Sequence, residues 1–98
     1  MQTEDRQAEM SKTTAAERRY MSKVAELGCL IHDNTPAEIH HPRVFAGGGQ
    51  RCSHFLVIPL CYECHRGRFS IHHAKREFEN VNGTEVDLLA ETIRRLNG

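Results

Sequence analysis

Two short spacings constrain this chain most: Cys29-x-x-His32 in CLIH and Cys61-x-x-Cys64 in CYEC, with 28 residues between them. A pair of ligands set two residues apart forms a tight turn that chelates one side of a tetrahedral ion, and a second such pair completes the coordination. Cys29, His32, Cys61 and Cys64 therefore predict one structural Zn2+ site, and any fold must bring the two turns together. At 98 residues the chain is near the size at which an apolar core alone struggles to offset chain entropy, so a metal is a useful supplement. The competing reading of Cys61 and Cys64 is a redox pair. Such a pair belongs at a helix start after a βαβ strand, and it leaves Cys29 and His32 without a role. Cys52 stands outside the set, as a buried residue, a free thiol or a substitute ligand.

The opening run MQTEDRQAEMSKTTAAERRY has no apolar h-region of a secretory signal. No run reaches the roughly 18 apolar residues of a membrane helix. The expectation is a cytoplasmic chain with reduced thiols and no membrane partner. Lysine plus arginine and aspartate plus glutamate both number 13, so the formal net charge is zero. That balance argues against a general nucleic-acid binder, whose nonspecific affinity comes from phosphate attraction. The distribution is uneven, however. From Ile39 to Arg76 the bases Arg43, Arg51, Arg66, Arg68, Lys75 and Arg76 face Glu63 alone. Acid gathers at the ends, in Glu4, Asp5 and Glu9 and again in Glu79, Glu85, Asp87 and Glu91.

Residues 1–12 are polar and expected to be disordered. Thr14 with Glu17 makes a capping box for a helix whose Ala16, Tyr20, Val24 and Leu27 share a face and whose stop is Gly28. AEIHH reads as a strand ended by Pro42, and HFLVIPL as a second strand ended by Pro59. Ser70 is placed to cap a helix running to about Glu79, with Ile71, Ala74 and Phe78 facing a core. A last helix opens at Thr84 with Asp87 and is expected to bury Val86, Leu89, Ile93 and Leu96.

A closed set of four sulfur and nitrogen ligands does no chemistry, so the remaining histidines need their own account. Six of the seven lie between His40 and His73. His40 and His41 point to opposite sides if both are on a strand, which suits two tasks better than one chelate. FAGGGQR lacks the Gly-Lys-Ser/Thr ending of a P-loop and precedes a strand, which excludes nucleotide binding by that device. It is either a permissive hairpin connection or a loop approaching a DNA backbone, with Arg43 and Arg51 as phosphate contacts.

The segments GCLIH, AEIHHPRVFAGGGQRCSHFLVIPLCYECHRG, SIHHAKREFE and NGTEVDLL resemble the HNH, or His-Me finger, nucleases. Within that class they are similar to the phage recombination-enhancement, Ref-like, RecA-dependent nucleases. The resemblance runs from about Leu27 to Leu89. It implies an α+β fold: a small ββα-metal core with a zinc knuckle, flanked by N- and C-terminal helices, in a single domain over residues 13–98. It further implies that His41 is the general base and that His40, His65 and His72 hold a catalytic Mg2+, Mn2+ or Zn2+, with His73 the alternative to His72. Two positions depart from the pattern. No Asn occurs between His41 and His65, and His54 is nearest to that middle place, where it holds the base, touches phosphate or is an ordinary exposed histidine. Ile39 stands where many relatives carry Asp before the histidine pair, and Glu38 lies one residue further back.

The expected function is that of a metal-dependent DNA endonuclease of phage or prophage recombination and repair. DNA is the expected partner, contacted through Arg43, Arg51, Arg66 and Lys75, with a RecA-type recombinase filament implied by the resemblance. The alternative is a noncatalytic zinc-binding module contacting nucleic acid or protein.

Overall fold

The structure, a computed structural model, describes residues 13–45 and 53–98. The expectations for residues 1–12, for Arg51 and Cys52, and for the glycine run of FAGGGQR lie outside the described residues.

Helix α1 (Ala15–Glu26) begins at the expected capping box: the Thr14 hydroxyl accepts from the Glu17 N–H at 3.1 Å, and the Glu17 carboxylate accepts from the Thr14 N–H at 2.8 Å. Gly28 ends it at a φ of +79°, a left-handed conformation that strains an L side chain. Val24 is buried, Tyr20 and Leu27 are half-buried and Ala16 is exposed, so only the later part of the expected stripe faces the core.

Strands β1 (Glu38–His40) and β2 (Ile58–Leu60) pair antiparallel, with Glu38 opposite Leu60, Ile39 opposite Pro59 and His40 opposite Ile58. Both are shorter than the sequence suggests, and Pro59 lies inside the second strand rather than ending it. The Pro59 carbonyl accepts from the Leu30 N–H at 3.2 Å. The Pro59 carbonyl therefore faces away from β1, and the missing N–H falls where the ladder needs no donor. A 3-10 turn, Arg43–Phe45, follows β1.

Helix α2 (Tyr62–Arg66) starts directly after β2 and packs on both strands. The next helix, α3, spans Lys75–Asn82 and not the stretch from Ser70. Residues 71–73 form turns in which the buried Ser70 accepts from the His73 N–H through its hydroxyl, at 3.1 Å, and from the Ala74 N–H through its carbonyl, at 2.8 Å. Ser70 thus caps a single turn that carries His72. Ile71 and Phe78 are buried as expected.

Helix α4 (Glu85–Asn97) has the expected Thr84 and Asp87 capping box. Its buried face differs from the expected one: Glu85, Leu88, Leu89 and Thr92 are buried, whereas Val86 and Ile93 are 50% and 41% exposed. The hydroxyl of Thr92 donates to the Leu88 carbonyl at 2.8 Å, which satisfies it within the core. Helices α1 and α4 pack on the strands and on each other. The core comprises Leu30, Ile58, Leu60, Ile71, Phe78, Leu88 and Leu89 with the three described cysteines. The architecture is a small α+β fold. Among the described residues no helix is long and apolar enough to cross a membrane.

Candidate functional site

The ligand atoms of Cys29, His32, Cys61 and Cys64 all lie within 4.8 Å of one another. The stop after α1 places Cys29, and the end of β2 places Cys61, which is also the N-cap of α2, with Cys64 one turn into that helix. The three cysteines are buried and His32 is exposed. The N–H groups of Ile31 and His32 each donate to the Cys29 sulfur at 3.4 Å. His32 Nδ1 sits 3.3 Å from the Cys61 sulfur and 3.4 Å from that of Cys64. Ligands bound about 2.0–2.3 Å from one tetrahedral zinc ion stand about 3.5 Å apart. The arrangement therefore suits a structural metal such as zinc.

The electrostatics agree with that fit. Burial raises the Cys29 thiol, but backbone N–H groups led by that of His32 outweigh it and bring the thiol below its usual value. The Cys64 thiol is pushed far up, first by burial and then by the Cys29 sulfur beside it. Two thiolates conflict in the bare site. A dication resolves the conflict, because a coordinated thiol is deprotonated.

A second group also draws on α2: the ligand nitrogens of His40, His65 and His72 lie within 4.8 Å of one another. His40 comes from β1, His65 from α2 and His72 from the turn that Ser70 caps. The ring centroids are 4.7 to 5.2 Å apart. His72 rather than His73 joins the group.

Carboxylates hold two of these rings from behind. Buried His40 places Nε2 2.7 Å from Oε2 of buried Glu85. Among the described residues its buried Nδ1 has no hydrogen-bond partner. An unsatisfied buried polar atom costs about 1–3 kcal/mol and calls for a reason; a nitrogen lone pair reserved for a metal is one. His65 places Nδ1 2.8 Å from Oε1 of Glu38, leaving Nε2 for the group. Glu38 and His40 share a face of β1 because they are two residues apart. An imidazole held by a carboxylate at one nitrogen and open at the other is the usual form of a metal-bound histidine.

Burial lowers the His40 imidazole to about 4 against the pull of Glu85, so the ring is neutral at pH 7. Burial would raise the Glu85 carboxyl, but hydrogen bonds from His40, the Arg43 and Val44 N–H groups and Lys75 hold it at about 2. Arg66 and then His65 hold the Glu38 carboxyl at about 2. His72 is lowered, first by burial and next by the neighbouring His65.

His41, adjacent to His40, takes a different partner: its Nε2 is 3.0 Å from Nδ1 of His54. One of the two rings donates and the other accepts, so the tautomers of His41 and His54 are linked to each other. Of the expected phosphate contacts, Arg66 makes a two-pronged bond to Glu38 at 3.1 and 2.8 Å. Lys75 lies 3.4 Å from Glu79 and 3.2 Å from Glu85. The Arg43 side chain is exposed, while its N–H donates to both Glu85 oxygens at 3.0 Å.

Sequence reasoning missed Glu85. It lies in the first turn of a capped helix, where an acid is expected on dipole grounds alone, and nothing local marks it as the partner of a histidine 45 positions away.

No curated protein and no solved structure shows significant similarity to the chain. A family model, described as protein of unknown function (DUF968), matches residues 9–96. Matched over nearly its whole length, the chain belongs to the DUF968 family.

Proposed function

We propose that this protein is a metal-dependent DNA endonuclease of the HNH, or His-Me finger, class. Zinc at Cys29, His32, Cys61 and Cys64 holds the ββα core, and His40, His65 and His72 hold the catalytic cation. The observation that carries this reading is the three-histidine group, in which a buried His40 nitrogen has no partner among the described residues, together with a separate Cys3His group. Three protein ligands leave coordination positions open, as a catalytic site requires.

A divalent cation bound there supplies Lewis acidity toward the scissile phosphate and the leaving oxygen. The chain's own residues do the rest. His41 accepts the proton of the attacking water, the work of a general base whose ordinary titration lies near neutrality. His54 holds the His41 ring in place through their 3.0 Å nitrogen contact. The exposed Arg43 side chain holds the DNA backbone, with Arg66, Lys75 and Arg51 as further phosphate contacts. The phage recombination setting and a RecA-type filament as partner come with the family resemblance.

The second reading, a noncatalytic zinc module, draws support from the closed Cys3His group and from the carboxylate partners of Arg66 and Lys75. Cleavage separates the two. Single- and double-stranded DNA is incubated with Mg2+, Mn2+ or Zn2+, with and without a RecA-type filament. The nuclease reading expects cleavage that His65→Ala abolishes while the Cys3His zinc is retained. Wild-type protein loaded at both groups and inactive under every condition would support the module.

A further inference from the structure

We propose that Glu85 is a positioning residue for the three-histidine group: it fixes the tautomer of His40 so that the Nδ1 lone pair is presented to a cation. This rests on the reading of His40, His65 and His72 as ligands.

An ionised carboxylate only accepts hydrogen bonds. With Glu85 Oε2 at 2.7 Å, His40 Nε2 must carry the hydrogen. A neutral ring with its hydrogen on Nε2 has its lone pair on Nδ1, the buried atom that has no partner among the described residues. Glu85 is itself fixed in place. Its Oε1 accepts from the Val44 N–H at 3.0 Å and from Lys75 at 3.2 Å, and the Arg43 N–H reaches both oxygens. The carboxylate thus ties the start of α4 to the segment after β1 and to α3, and the same atoms set the ring. At 1% and 2% exposure, His40 and Glu85 leave little room for water to substitute.

The amide variant tests this because of where its oxygen must go. In Glu85→Gln the amide oxygen keeps the Oε1 place, where two backbone N–H groups and Lys75 need an acceptor. The amide nitrogen then faces His40 Nε2 and donates to it. That forces the ring hydrogen onto Nδ1 and removes the lone pair from the site, with almost no change in shape.

The experiment uses the full chain with zinc at the Cys3His group and reads two quantities: the His40 ring tautomer by 15N NMR before a second cation is added, and the affinity for a second equivalent of Zn2+. Wild type is expected to show the hydrogen on Nε2. Glu85→Gln is expected to show it on Nδ1, with second-site affinity lower by roughly 10- to 100-fold, as for loss of an outer carboxylate, and the first zinc unaffected. A wild-type ring with its hydrogen on Nδ1 overturns the proposal, and this readout stands even if the variant does not fold. A folded variant that binds the second Zn2+ as tightly as wild type overturns it too, while leaving the nuclease reading untouched. Wild type that binds no second cation overturns both. Second-site binding that depends on Glu85 in a protein that cleaves no DNA supports the positioning role and removes the nuclease reading.

Discussion

His32 and Cys61, separated by 29 positions, bring a ring nitrogen within 3.3 Å of a sulfur. That contact joins the turn after α1 to the junction of β2 and α2. With Cys29 and Cys64 it gathers the two turns at one point. A metal bound there is part of the fold's stability, because the unfolded chain has no such site.

Removal of that metal should therefore unfold the domain. Zinc binding to small folded sites contributes on the order of 10 kcal/mol, comparable with the whole stability of a domain this size. Strong chelation should abolish the cooperative thermal transition, and Cys61→Ser should do the same. Differential scanning calorimetry on protein verified as zinc-free is the check; an unchanged Tm would count against the site.

The buried face of α4 makes a second prediction. Leu89→Ala should cost about 2–4 kcal/mol, as for other core truncations. Val86→Ala, on the exposed side, should fall within about 0.5 kcal/mol of wild type. Urea melts of the two variants decide it. Equal losses would mean that the helix is rotated from the face described.

That face also shows what the sequence could and could not convey. The caps at Thr14 and Thr84 and the stop at Gly28 are local events, chosen by side chains within a few residues, and all three were legible. So was the Cys3His set, which its fixed spacings announce, whereas the grouping of His40, His65 and His72 was expected only from the family resemblance. The α4 stripe was misread because two of its buried residues, Glu85 and Thr92, are polar and satisfied through partners the pattern does not show. The Pro59 strand was misread for a similar reason: the direction of its carbonyl depends on Leu30. Pairings such as Glu85 with His40 arise only when distant elements meet, and no periodicity encodes them.

Acid should weaken the fold first through His40. Its folded value of about 4 lies below its ordinary 6.5, so unfolding takes up a proton. The corresponding stability is complete above about pH 6.5 and is lost as pH falls toward 4. Glu85, held at about 2 against an ordinary 4.5, adds a loss in the same direction below about pH 4.5. Between pH 7 and 5, His40→Gln should therefore lose less stability than wild type. Denaturant titrations at both pH values would show it, and parallel losses would contradict the assignment.

Arg43 gives the cleanest test of DNA contact, since substitutions at Arg66 or Lys75 also disturb Glu38 or Glu85. Arg43→Gln should weaken binding about equally across sequences and make the salt dependence shallower by roughly one unit. Altered sequence preference at constant salt slope would indicate a base contact instead.

The most direct measurement for the account as a whole is the DNA cleavage rate of His41→Ala beside wild type, with metal content and DNA affinity determined on the same samples. Proposed as the base and not as a ligand, His41 should be dispensable for folding, for both metals and for binding. Its loss should slow cleavage by roughly 100-fold or more. Equal rates in wild type and variant, including no cleavage by either, would contradict the catalytic account.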